Sequence, residues 1–380
     1  MPRSTALVTL AISSVIGCAF AGCGFAPAAS GSSGSGASGP PLGSGASNGT
    51  GLVSGGAAQN GQGAVTGMNC REVMQPLNKL PPDILLVQDA SGSMNEDATN
   101  TSCGNNGCGA TSKWALMIPA INTVISETEG EVNWGLKLFA DSGSCGVNGN
   151  AAVPVGPMNA VAIAAALMAR TSANGGVSNG SSTPTRAAEA GAVNYLMGVT
   201  DQNPKFIVMA TDGQPNCPMS GSQQTDDTPA AVAAVTAART AGFSTFVVGV
   251  SAPAGAANDA LNMMAVEGGY PQMGAATQYY AVTDTAGFAS VLLTLVGKAT
   301  TCQYSIPEPP TMDGTTSRED ITVTGGTGTP PDTTINQDAN NGWTYTDTTH
   351  TSITLHGTSC DQVTAGTITT VTIIFNCHII

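Results

Sequence analysis

A chain of 380 residues leaves room for about two folded domains, and nearly the first 70 residues lack the composition to form one. Charged residues are only 9% of the chain, yet 25 Asp and Glu stand against 11 Lys and Arg, for a net charge of −14. This argues against nucleic acid as a partner, because such binding draws its affinity from Lys and Arg neutralising phosphates. Cations and basic surfaces suit the balance, as does simple solubility of an exported protein.

The first segment reads as an export signal over residues 1–22. Arg3 gives the positive start, and Ala6 to Ile16 form an apolar stretch interrupted by small Thr and Ser residues and too short to span a bilayer. Phe20-Ala21-Gly22-Cys23 resembles the lipobox of bacterial lipoproteins, in which the Cys is lipidated, so Cys23 is the expected lipid site. Phe20 stands where Leu is usual, which leaves ordinary cleavage, or a box at Val15-Ile16-Gly17-Cys18, as alternatives. Residues 23–69 read as a tether: Gly24 to Met68 contains no Asp, Glu, Lys or Arg and is dominated by Gly, Ser and Ala. As a flexible coil it would span about 35 to 40 Å.

The folded part follows in two pieces, residues 70–302 and 303–380. After Pro81-Pro82, Ile84 to Gln88 is an apolar run of strand length, as expected for a strand covered on both faces. It ends in Asp89-Ala90-Ser91-Gly92-Ser93, so oxygen-bearing side chains sit at the C-terminal end of a strand, where open α/β sheets build their crevices. A polar loop to Thr111 holds Cys103 and Cys108. Ser112 then caps a helix through Ile125, which Pro119 should kink or divide. Val132 to Phe139 alternates like a strand, Ala152 to Val155 reads as its hairpin partner, and Asn159 to Arg170 as an apolar helix. Thr183-Pro184-Thr185 opens a helix to Met197, with Pro184 in the first turn, where a missing N–H costs nothing. Phe206 to Ala210 is a second buried strand, and it too ends in a carboxylate, Thr211-Asp212-Gly213. Helices at 229–241, 257–264 and 286–298, with strands at 244–250 and 278–282, continue a β/α alternation. Such alternation predicts an α/β fold with a doubly wound, mostly parallel sheet and helices on both faces. Beyond Cys302 helical spacing disappears. Thr-rich alternating runs at 320–323, 343–345, 352–355 and 371–375 predict a small β-rich domain.

Three segments thus converge on one crest: Asp89-x-Ser91-x-Ser93, Thr183 and Asp212. Singly, the first also reads as a helix cap and the last as a turn. Their joint presence, in order and after two buried strands, carries the signal. The set resembles the von Willebrand factor type A (vWA) domain, whose D-x-S-x-S, Thr and T-D-G elements form a metal-ion-dependent adhesion site, over about Asp83 to Thr301. The resemblance implies that Ser91 and Ser93 bind a metal directly, with Thr183, Asp89 and Asp212 binding directly or through water. Hydroxyls and carboxylates are hard donors suited to Mg²⁺, Ca²⁺ or Mn²⁺, and the absence of His and Cys among them argues against zinc or copper. Neutral hydroxyls leave such an ion partly uncompensated, free to accept a carboxylate from a protein or cell-surface partner. Asp141 and Glu96-Asp97 lie in loops at the same face and read as solvated.

Setting aside Cys18 and Cys23, eight of ten cysteines remain, an even number that favours disulfides in an exported chain. If the strand at Val132 runs parallel to the first, Cys103, Cys108, Cys145 and Cys217 share the crest, while Cys70 and Cys302 flank the opposite end. The preferred pairs are then Cys70–Cys302, Cys103–Cys108, Cys145–Cys217 and Cys360–Cys377.

The leading reading is an exported, membrane-tethered lipoprotein of the outer membrane or cell surface that binds a partner through a divalent metal, in adhesion or envelope assembly, and is not an enzyme. A structural envelope protein with a merely stabilising metal is the alternative. A hydrolase is a weaker one, since His350, His356 and His378 all fall in the tail and leave no Ser-His-Asp arrangement in the α/β domain. A nucleotide site lacks a phosphate cradle at the first crest.

Overall fold

The computed structural model describes residues 73–142, 145–178, 181–218, 225–300, 302–310, 315–328 and 331–378. The expectations on the signal peptide, Cys18, Cys23, the tether and Cys70 lie outside these residues, as does the Cys377 side chain.

Two short strands, β1 (Val73–Pro76) and β2 (Asn78–Lys79), precede the central strand β3 (Asp83–Asp89). Next come α1 (Lys113–Thr128), β4 (Asn133–Phe139), β5 (Val153–Gly156), α2 (Ala160–Arg170), α3 (Thr185–Met197) and β6 (Lys205–Thr211). The α/β part is completed by α4 (Thr228–Thr240), β7 (Ser244–Val250), α5 (Ala256–Gly268), β8 (Tyr280–Val282) and α6 (Thr285–Ala299). The tail adds β9 (Gln303–Ser305), β10 (Thr315–Gly326), β11 (Thr333–Ile335), β12 (Trp343–Tyr345), β13 (Ser352–Leu355), α7 (Thr358–Thr364) and β14 (Thr370–His378).

Six strands form the main sheet in the order β5-β4-β3-β6-β7-β8, all parallel except the edge strand β5, which runs against β4. All seven residues of β3 are buried, because the strand is covered on both faces. Ile84 and Leu86 belong to the core shared with α1, α2 and α6, through Trp114, Ile121, Ile163 and Leu292. Leu85 and Val87 belong to the core shared with α3 and α4, through Ala188, Leu196 and Ala238. The period-2 alternation of side chains therefore feeds two apolar layers, and only an uninterrupted apolar run satisfies both. Of the two outcomes expected at Pro119, a kink or a break, the break does not occur: α1 runs through it as one helix. Pro119 lies on its exposed side, where water can take up the carbonyl bond that the ring removes.

The tail is not an independent C-terminal unit beginning at residue 303. β1 pairs with β14, and β2 with β9, so residues before Asp83 complete its two four-stranded sheets, β1-β14-β10-β11 and β12-β13-β9-β2. The α/β unit starts at Asp83 rather than at Cys70. Trp343, Ile353, Ile373 and Phe375 fill the core of this β module together with Leu77 from the N-terminal side. Tyr345 packs edge-on against Trp343 and donates its hydroxyl to the Arg318 carbonyl, so both aromatics serve packing.

The cysteine pattern changes with it. Cys302 is bonded to Cys360 in α7, which overturns both Cys70–Cys302 and Cys360–Cys377. Cys302, only 2% exposed, lies in the core of the β module, so its partner comes from that module.

Glu189 of α3 is fully buried and accepts a hydrogen bond from the Thr245 hydroxyl at 2.5 Å, with its other oxygen unpartnered. Burial raises its carboxyl to about 7. The folded state thus holds this proton more tightly than the unfolded chain, so the neutral group's contribution is complete below about pH 4 and is lost as pH rises through 7. Glu189→Gln, which keeps the acceptor and removes the titration, is expected to stabilise the protein by about 1–3 kcal/mol at pH 8 and hardly at all at pH 4, as read by urea unfolding at the two pH values.

Candidate functional site

Because β3 and β6 are parallel neighbours, with Gln88 opposite Ala210, their C-terminal ends bring Asp89 and Asp212 to the same crest. Beyond Asp89 the chain makes a short 3-10 turn, Gly92–Asn95. Met94 of this turn is fully buried in the core, which anchors it from below. A third segment joins where Gly92 N donates to the Ser181 carbonyl at 2.8 Å, setting residues 181–183 beside the turn.

Their oxygens form a continuous set. Ser91 Oγ and Ser93 Oγ are 3.1 Å apart, and Ser93 Oγ donates to Asp212 Oδ1 at 2.8 Å. A Cβ on Gly213 would lie 3.7 Å from Thr183 Oγ1 and 3.8 Å from Ser93 Oγ, so the Thr183 hydroxyl faces the same spot. Asp89 takes the Ser91 N–H on Oδ1 at 2.7 Å and the Thr211 hydroxyl on Oδ2 at 2.5 Å. Burial, and then the neighbouring Asp212 carboxylate, push Asp89 up to about 7 against those hydrogen bonds. All five sequence-predicted residues are therefore brought together. The donors are three hydroxyls and two carboxylates, a hard oxygen set that fits Mg²⁺, Ca²⁺ or Mn²⁺. Ser93, Thr183, Gly213, Gln214, Asn216 and Asp226 line an open cleft of about 360 Å³, through which a ligand can reach them.

Several contributors were not foreseen. Lys113, at the start of α1 and 1% exposed, places its ammonium 2.7 Å from Asp212 Oδ2 and 3.4 Å from Glu96 Oε2. Glu96 is thus a half-buried ion-pair member rather than a solvated loop residue. Asp97 accepts from Thr99 and Thr101 within its own loop, and Asp141 from Asn148 N. Asn216 grips the third segment at both ends: its Oδ1 accepts from Thr183 N at 2.6 Å, and its N–H donates to the Thr183 carbonyl at 3.2 Å. A cation in the first turn of a helix opposes the helix dipole, and that anomaly is the sequence signal that could have singled out Lys113. Asn216 carries no comparable signal.

Disulfides surround the crest. Cys103–Cys108 closes the loop after β3, and Cys145–Cys217 joins the loop after β4 to the loop after β6. Since β3 lies between β4 and β6, the second bond straddles the metal-type residues. Arg186 holds the same loop, donating to the Cys217 carbonyl and pairing with Asp227 at 2.9 Å.

The family model described as von Willebrand factor type A domain matches residues 83–292, more than half of the chain. The chain belongs to this family. Its α/β unit is a vWA domain, with the mostly parallel sheet and two helical layers described above. No match was found among curated proteins. Solved structures similar to the chain include the pilus adhesin SpaC from Lactobacillus rhamnosus GG, at 17% identity and a TM-score of 0.42, covering 81% of this chain and 41% of that one. The manganese-loaded TRAP protein of Plasmodium vivax is similar at 15% identity and a TM-score of 0.41, with coverages of 60% and 78%. Proximal thread matrix protein 1 of the mussel byssus, with a zinc-occupied MIDAS motif, follows at 14% identity and a TM-score of 0.38, with coverages of 61% and 50%. The chain spans less than half the length of the pilus adhesin, and the vWA assignment rests on the family match.

Asn216→Ala strands the buried Thr183 N–H. It is expected to cost about 1–3 kcal/mol in urea unfolding and to speed hydrogen exchange at the amide of Thr183, while the β module amides keep their protection.

Proposed function

We propose that this vWA protein binds a partner through a divalent ion held at the crest, as an exported lipoprotein tethered to the cell envelope by Cys23 and serving adhesion or envelope assembly. The observation that carries the reading is the meeting of Ser91, Ser93, Thr183, Asp89 and Asp212 from three separate segments beneath an open cleft. Ser91 and Ser93 would hold the ion directly, and Thr183, Asp89 and Asp212 directly or through water. A bound Mg²⁺, Ca²⁺ or Mn²⁺ would supply a positive charge, only partly neutralised by the hydroxyl ligands, for a carboxylate of a protein or surface partner.

The residues themselves do the orienting. Thr211 and the Ser91 N–H fix both oxygens of Asp89, and Asn216 fixes the backbone that presents Thr183. Met94 below and the Cys145–Cys217 bond beside them limit how far the loops can part. No histidine stands among these groups: His356 is bonded to Thr344, and His350 stacks on Tyr345, both in the β module. The carboxylate that Ser93 meets, Asp212, is already paired with Lys113, and without a histidine beside it the crest offers no Ser-His-Asp arrangement, which favours a binding protein over a hydrolase. Among the described residues, no helix is long and apolar enough to cross a membrane.

Titration calorimetry is expected to show one Mn²⁺ bound per chain, with binding lost in Ser91→Ala/Ser93→Ala/Thr183→Ala. Undiminished Mn²⁺ binding by the triple variant would sink the reading. Separately, palmitate labelling of the expressed full chain is expected to vanish with Cys23→Ser; label that persists would move the lipid elsewhere or point to another palmitate acceptor.

A further inference from the structure

Lys113 stands where two ordinary preferences oppose it. It opens α1 directly after the Ser112 cap, against the helix dipole, and its side chain is only 1% exposed. A buried ammonium is costly unless paired and hydrogen-bonded. What offsets these costs is Asp212, itself fully buried, whose Oδ2 receives the ammonium at 2.7 Å, with the half-exposed Glu96 carboxylate at 3.4 Å. Asp212 is thereby shared: Oδ2 belongs to Lys113, and Oδ1 faces the crest through Ser93.

We propose that Lys113 is the site's resident counter-cation: it holds Asp212 in place before a divalent ion arrives and weakens the site's affinity for that ion, leaving the loaded crest dependent on a partner carboxylate. Charge balance carries the argument. With both carboxylates ionised, the fully buried groups Asp89, Asp212 and Lys113 bear one net negative charge; Glu96, one-third exposed and 3.4 Å from the ammonium, is largely screened by water and stands outside this buried balance. Addition of a divalent cation leaves one net positive charge, which a single partner carboxylate cancels. Without Lys113 the loaded site would already be neutral, and little would remain to attract that carboxylate. Lys113 also explains how two buried carboxylates coexist at the crest: its charge lies against one of them, and the hydrogen bonds from Thr211 and Ser91 hold the other.

The inference rests on the metal reading above, and one experiment separates the two. The full chain and its Lys113→Met, Lys113→Gln and Lys113→Arg variants are titrated with Mn²⁺, free ion being read by electron paramagnetic resonance, and unfolded in urea with EDTA or with saturating Mn²⁺. Removing a unit charge at close range in a partly dry site is expected to tighten Mn²⁺ binding about tenfold or more in K113M and K113Q, while K113R stays within about twofold of the parent. Both neutral variants should lose stability in EDTA and recover it in Mn²⁺. K113Q, which can still donate a hydrogen bond to Asp212, carries the test if K113M does not fold. If neither folds in EDTA, folding driven by Mn²⁺ supports the role, and failure to fold at saturating Mn²⁺ overturns it. Parent and neutral variants binding Mn²⁺ equally, or the variants more weakly, would overturn the role of Lys113 and leave the metal reading intact. Mn²⁺ binding confined to the neutral variants would support it, and no binding by any of the four would overturn both.

Discussion

Two carboxylates held dry at the end of a parallel sheet are the constraint to which the crest answers. Asp89 and Asp212 arrive there because β3 and β6 are neighbours in parallel register. Their proximity must be compensated by groups already in the protein or by a bound cation. Nearly every unusual feature nearby acts on this problem: a hydroxyl and an N–H on Asp89, a hydroxyl and an ammonium on Asp212, and an N–H from each crest segment tied to its neighbour. The hydrophobic layers on either side of β3 supply the rigidity that keeps those short contacts aligned.

How much of this was legible follows from which residues carry local signals. The run Ile84–Gln88 and the abrupt change at Asp89 announce a central strand and its crest, since burial on both faces leaves no alternation to confuse the reading. The D-x-S-x-S, Thr and T-D-G elements are recognisable because a family resemblance ties together residues more than a hundred positions apart. Lys113 was passed over because a single lysine on a predicted helix reads as surface charge until its partner is known. Asn216 was hidden for a simpler reason: a loop amide has many ordinary roles, and only the fold shows which backbone it meets.

The cysteines mark the same limit more sharply. Cys103–Cys108 and Cys145–Cys217 follow from which loops lie at the crest, which strand direction decides. Cys302–Cys360 does not, because Cys302 terminates one unit and begins the next, and the tail's short strands gave no hint that α7 packs beside it. The strands β1 and β2 are similarly silent. Four and two residues long, they have no periodicity to read and become strands only because β14 and β9 offer open edges.

The placement of β1 and β2 makes the vWA domain an insertion within the β module. Its chain enters at Asp83, at the start of a central strand, and leaves after Ala299, where α6 has run back from the end of the parallel β8. Entry and exit therefore lie together, at the far end of the sheet from Ser91, Ser93 and Thr183. If the chain is tethered on its N-terminal side and holds a partner at the crest, as proposed, a pull between the two meets the β1–β14 ladder first, and there antiparallel hydrogen bonds and the apolar core of the β module share the load. The crest and the strand nearest the N-terminal side thus lie in different modules with separate cores, so the strength of one can change without the other.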